Sequence, residues 1–135
     1  MSVHVQISTG PLPAEAPEWD HFEAGSLIEF RGIIRPMEQE RPIDAIEYDA
    51  YRPMADEQLE RIANDLVDEH GLIAMLIEHS MGQVMVGECG FRLRIASAHR
   101  AEGLAATAAF IDLLKQDVPI FKVPVWSGAS HSAGT

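Results

Sequence analysis

The sequence has a single cysteine, Cys89, among 135 residues. One thiol excludes an intramolecular disulfide and any multi-cysteine zinc site, and a reducing, cytoplasmic setting fits best. Lysine is nearly as scarce. Lys115 and Lys122 are the only two, and ten Lys and Arg stand against 21 Asp and Glu, a formal net charge of −11. A surface this acidic repels nucleic acid and anionic membranes, so neither is expected as a partner. No apolar run approaches the ~20 residues that span a bilayer. Met1-Ser2-Val3-His4 lacks the basic and apolar regions of a secretory leader. There is no phosphate-binding loop, dinucleotide fingerprint or nucleophile elbow. His4, His21, His70 and His131 are scattered and make no metal constellation, so no metal site is expected.

What is present suits a globular chain: 47% hydrophobic and 23% charged residues. The length allows one domain, read as residues 1–126, followed by a short flexible tail at 127–135. Val3 to Ser8 alternates weakly and predicts a first strand. Pro11, Pro13 and Pro17 then forbid regular pairing, with a short helix expected over Glu15 to Phe22. Gly25 to Arg35 and Ala45 to Tyr51 alternate and predict two strands paired as a long hairpin, joined by a charged loop from Pro36 to Pro42. In that hairpin Arg31, and with it Arg35, would face Glu47 or Asp49 across the strands. Leu59, Ile62, Ala63, Leu66 and Val67 carry the period of a helix over Asp56 to His70, with Glu57 and Arg61 paired on it and Gly71 as its stop. Leu72 to Ile77 predicts a buried strand. Phe91 to Ser97 predicts another, with Arg92 and Arg94 on its exposed face. Ala101 to Gln116 is a second helix, ended by Val118-Pro119, and Ile120 to Trp126 a last extended segment. This order of elements predicts an α+β fold, a mainly antiparallel sheet with two principal helices.

The scarce cations carry the chemical signal. Arg92, Arg94, Arg100, Lys115 and Lys122 are half of all cations and fall within 31 residues. Lys115 lies in the last turn of the second helix, where the helix dipole favours a solvated lysine. Lys122 lies in an extended segment, where lysine guards a sheet edge. A turn at Pro119 would also bring the two amines close, and neighbouring ammonium groups depress each other's pKa, leaving one neutral amine as nucleophile or base while the other holds an anion. Ser97-Ala98-His99-Arg100 sits at the start of the second helix, where free N–H groups, the Arg100 fork and the His99 ring suit an anion. A plain helix-start loop, with Glu102 paired to Arg100, accounts for the same residues. His79 reads as structural, and Cys89, with no evident base, as inert.

Several ordered pieces carry a resemblance. They are Gly32-Ile33-Ile34-Arg35; Ile46-Glu47-Tyr48-Asp49-Ala50-Tyr51, then Met54; His79, Gly82 and Val86-Gly87-Glu88; Ser97-Ala98-His99-Arg100; and Lys115 followed by Pro119-Ile120-Phe121-Lys122. In this order and spacing, from Gly25 to Trp126, they resemble the large, catalytic subunit family of molybdopterin synthase. The resemblance implies an α+β homodimer with one small ubiquitin-like subunit at each end, a heterotetramer. The small subunit's C-terminal Gly-Gly ends in a thiocarboxylate and delivers sulfur to cyclic pyranopterin monophosphate without a cofactor or metal. It also implies Lys115 and Lys122 as catalytic lysines. Arg35, His99 and Arg100 would bind the anionic substrate, with His99 and Arg100 supplied across the dimer interface. The chain departs from the family's usual pattern at Val123-Pro124, at Ser80 and in the loop from Pro36 to Pro42. A non-catalytic dimeric module that binds a Gly-Gly tail is the alternative these departures suggest.

Overall fold

Helical and alternating patterns become helices and strands in the computed structural model, which describes residues 2–128. In chain order the elements are β1 (Val3–Thr9), β2 (Ser26–Ile33), β3 (Met37–Glu38), β4 (Arg41–Ala50), α1 (Met54–His70), β5 (Ala74–Met85), β6 (Cys89–Ser97), α2 (Arg100–Asp117) and β7 (Ile120–Trp126). The apolar stripe of α1 buries Ala55, Leu59, Ile62, Ala63 and Leu66. Gly71 ends the helix in the left-handed region at φ 64°, its N–H returning to the Val67 carbonyl. The expected Glu57–Arg61 pair does not form. Arg61 instead bonds Gln58 at 2.9 Å and lies 3.7 Å from Asp65, which shares its face four residues on.

The sheet runs β2-β6-β5-β4-β3, with β1 added to β5 and β7 added to β4. It is mainly antiparallel, the β1–β5 pair being parallel. The predicted hairpin between β2 and β4 is not formed: β2 pairs β6, and β4 pairs β5 and β7. Side-chain complementarity explains the choice. Ile28 faces Ile95, Phe30 faces Leu93, and Glu29 faces Arg94 with Oε1 3.2 Å from Nε. With β4 elsewhere, Arg31 has neither Glu47 nor Asp49 opposite and lies 3.6 Å from Glu29. The charged segment after Arg35 is a tight hairpin rather than an open loop. Gln39 and Glu40 take φ of 50° and 62° between β3 and β4, the twist that a two-residue connection requires.

Residues 15–22 form no helix. They belong to an irregular strap laid across the sheet face opposite the helices. Two arginines of β6 hold it, Arg92 donating to the Pro13 carbonyl at 2.8 Å and Arg94 to the Pro17 carbonyl at 2.7 Å. Prolines deny the strap its own ladder, and the arginines supply the missing bonds. Arg92 is thus fully buried rather than exposed, with Glu78 across the strand at 2.9 Å, and Arg94 also lies over the Trp19 ring.

The main core lies between sheet and helices, built from Leu59, Ile62, Leu66, Ile77, Leu93, Ile95 and Phe110. A smaller cluster of Ile34, Ile43, Ile46 and Val84 anchors the far end of the sheet. Gly103 sets the seating of α2, because a Cβ there would lie 2.8 Å from both Ile28 and Ser97. Ser127, read as the start of a flexible tail, is tied down by its N–H to Pro42 and its hydroxyl to Asp44 at 2.7 Å. Residues 129–135 of that tail lie outside the described residues. No helix among the described residues is long and apolar enough to cross a membrane.

Candidate active site

The C-terminal end of α2, the turn at Pro119 and β7 form one continuous arm. Lys115 stands in the last turn of α2. The Pro119 carbonyl accepts a bond from Tyr51 N–H at 3.0 Å, which fixes the turn, and β7 then runs antiparallel along β4 with Lys122 opposite Tyr48. Arg35 enters from the end of β2. Bonds between Ile34 N–H and the Glu88 carbonyl, and between Gly87 N–H and the Ile34 carbonyl, pin that strand end to the β5–β6 turn. These elements enclose a cavity of about 700 Å³ whose lining includes Arg35, Lys115, Lys122, Tyr48, His79 and Phe91.

The lining is aromatic below and cationic at the rim. Phe91 stacks on Phe110, and Tyr48 meets the His79 ring edge-on with centroids 5.0 Å apart. Burial, then the nearby Cys89 and Glu38, pushes the Tyr48 phenol up, so it stays protonated and able to donate. Burial pushes the His79 imidazole below its usual range, against the opposing effect of its bond to the Ser80 carbonyl. That 2.8 Å contact assigns the Nδ1 proton and leaves Nε2 as the lone-pair nitrogen of the neutral ring. At the rim, Lys122 Nζ is 3.4 Å from Glu38 Oε1. The side chains of Arg35 and Lys115 have no hydrogen bond or ion pair among the described residues. In a chain with 21 acids, two unpaired cations on one cavity leave it open to an anion.

Three of the five residues singled out from the sequence, Arg35, Lys115 and Lys122, therefore converge. His99 and Arg100 do not join them. They open α2, fifteen residues before Lys115, roughly 22 Å along the helix axis. Both are exposed there. Glu102 bonds the His99 backbone N–H at 3.1 Å rather than pairing with Arg100. Bonds from its own N–H and from His99 hold the Glu102 carboxyl below its usual range. Tyr48 and His79 also line the cavity, and the sequence did not mark them as functional. Their signal was weak: a phenol sharing a strand face with Ile46, and a histidine just after an apolar run. No group of three or more His, Cys, Asp or Glu side chains among the described residues could hold a metal ion.

The family described as MoaE protein matches residues 7–117. A molybdopterin synthase catalytic subunit of Aspergillus niger is 30% identical over 128 residues, 93% of this chain and 71% of that protein. The human protein of the same name is 32% identical over 82% of this chain, which spans 58% of the human length. The crystal structure of molybdopterin synthase from Staphylococcus aureus superposes with a TM-score of 0.80 at 26% identity, covering 89% of each chain. A complex of subunits 1 and 2 of molybdopterin-converting factor from Helicobacter pylori shares the fold with a TM-score of 0.71 at 21% identity, over 93% of this chain and 90% of its own. With the match running through both helices and the strands between them, the chain belongs to the MoaE protein family, that of the molybdopterin synthase catalytic subunits.

Proposed function

We propose that this chain transfers sulfur from the C-terminal thiocarboxylate of a small ubiquitin-like subunit to cyclic pyranopterin monophosphate. Two such transfers make the dithiolene of molybdopterin. The observation that carries the reading is the convergence of Lys115, Lys122 and Arg35 on one cavity in a chain otherwise short of cations. A thiocarboxylate and a phosphate are both anions, and a rim with a guanidinium fork and two amines suits both. In this reading Arg35 holds the phosphate, while Lys115 and Lys122 steady the thiocarboxylate and serve as nucleophile or acid–base groups. The partner's Gly-Gly tail fits because glycines pass where a side chain would block a narrow channel. The two-subunit assembly of the Helicobacter pylori relative favours such a partner.

His99 and Arg100 belong to the same reading through a second copy of the chain. They lie roughly 22 Å from their own Lys115 along α2. A two-fold homodimer that brings this helix start to the partner's cavity adds one anion-binding group to each of its two sites. With one small subunit at each end the assembly is a heterotetramer.

The test is sulfur transfer from a thiocarboxylated small subunit to the cyclic pterin. Lys115→Ala is expected to lose 10²-fold or more in rate, with a stability change under about 0.5 kcal/mol because it replaces an exposed side chain. Wild-type turnover by a folded Lys115→Ala protein overturns the assignment.

A further inference from the structure

Of Arg35, Lys115 and Lys122, only Lys122 has an anionic partner among the described residues, and that partner is Glu38. The hairpin fixes where this carboxylate stands. Met37 pairs with Pro42 and Glu38 with Arg41 across a two-residue connection, so register sets the side chain's direction. The side chain of Glu38 is 18% exposed, whereas that of Lys122 is 53% exposed. The carboxylate is the stationary partner, and the long amine reaches to it from β7. Tyr48, the cross-strand neighbour of Lys122, also feels the Glu38 charge, which places the carboxylate at the cavity rim.

We propose that Glu38 is a resident competitor for the oxyanion that Lys122 binds. In the empty site Glu38 holds the Lys122 ammonium at the rim, and an incoming anion takes the amine only by displacing the carboxylate. This rests on the reading of the cavity as an anion site. The arrangement makes Glu38 a specificity-determining residue. A ligand that reaches only Lys122 exchanges one ion pair for another and gains little. A phosphate that also reaches Arg35 and Lys115, neither of which is held by a carboxylate, gains on both and can meet the cost of displacement. For a half-exposed pair that cost is about 1.5- to 5-fold in affinity.

The experiment titrates inorganic phosphate into the full chain at low ionic strength, by calorimetry or amide chemical shift. The proteins are wild type, Glu38→Gln and Glu40→Gln. Glu40 is the exposed neighbour on the same turn and pairs with nothing among the described residues, so its variant changes net charge equally. Glu38→Gln is expected to bind about 1.5- to 5-fold tighter than Glu40→Gln, and a second variant, Glu38→Ser, is expected to move the same way. In a Lys122→Ala background the difference is expected to vanish. A short peptide ending in Gly-Gly, titrated in parallel, tells whether a carboxylate tail or a phosphate displaces Glu38. Damage to the hairpin weakens binding, and loss of a merely repulsive charge tightens it equally with and without Lys122, so a difference that persists in the Lys122→Ala background also overturns the competitor. Binding by both Glu38 variants no tighter than Glu40→Gln overturns the competitor and leaves the anion site standing. Absence of phosphate binding by wild type and every variant overturns the anion site and the competitor together.

Discussion

Replacing Arg92 with methionine tests how the strap beneath the sheet is held. The Arg92 side chain is fully buried, with Nε 2.9 Å from Glu78 and Nη1 2.8 Å from the Pro13 carbonyl. Glu78 is itself 11% exposed and has no other charged partner among the described residues. Methionine refills much of the volume, so the lesion is electrostatic. A carboxylate and a carbonyl lose their cation inside the protein, at a cost of about 3–5 kcal/mol. Against a total stability of about 5–15 kcal/mol, that is a large share. With a urea slope near 1.5 kcal/mol/M, the unfolding midpoint moves down by about 2–3 M. The double variant Arg92→Met, Glu78→Gln removes the stranded charge and is expected to recover more than half of the loss. Urea unfolding of the wild type, the single and the double variant measures all three. A single variant within about 1 kcal/mol of wild type, or a double variant no better than the single, refutes this account of the strap.

The pH dependence follows from His79, whose proton affinity is lower folded than unfolded because of burial. Below the unfolded value of about 6.5 the unfolded chain takes up a proton that the native ring resists, so stability falls as pH drops toward the folded pKa, at most about 1.4 kcal/mol per pH unit. His79→Leu is expected to flatten that slope between pH 7.5 and roughly 5.5, and parallel unfolding curves for the two proteins would count against it. The shared site is tested by mixing two inactive variants, Lys115→Ala and Arg100→Ala, with tagged subunits to confirm exchange. Half the dimers become mixed and each mixed dimer has one unlesioned site, so roughly a quarter of sites recover activity. No recovery after confirmed exchange rejects a site built across two subunits.

Local patterns carried most of the elements. The period of Leu59, Ile62 and Leu66 marked α1, and the break at Pro119 marked both the end of α2 and the arm that brings Lys115 and Lys122 to one cavity. Pairing was less legible, because β2 chooses β6 across more than sixty residues through Glu29–Arg94 and the apolar pairs beside it. The strap misled for a related reason. The strap that carries residues 15–22 is held at the Pro13 and Pro17 carbonyls by Arg92 and Arg94, and nothing near it in sequence signals that. Arg35, Lys115 and Lys122 were visible as scarce cations in marked places. Tyr48, His79 and Glu38 became part of the site only once β4, β5 and the β3–β4 hairpin had closed around them.

The small cationic cavity in a chain of net charge −11 has a kinetic consequence. Beyond a Debye length, about 8 Å at physiological salt, an approaching anion meets the summed charge and is repelled. Inside that distance it meets Arg35, Lys115 and Lys122, which in the proposed function hold it. Added salt therefore raises two rate constants whose effects on occupancy oppose each other: it shields the approach and speeds association, and it loosens the hold and speeds release. Flux through the site, measured against ionic strength at low substrate, is expected to rise and then fall. The position of that maximum reports the balance between the surface that repels and the cavity that retains.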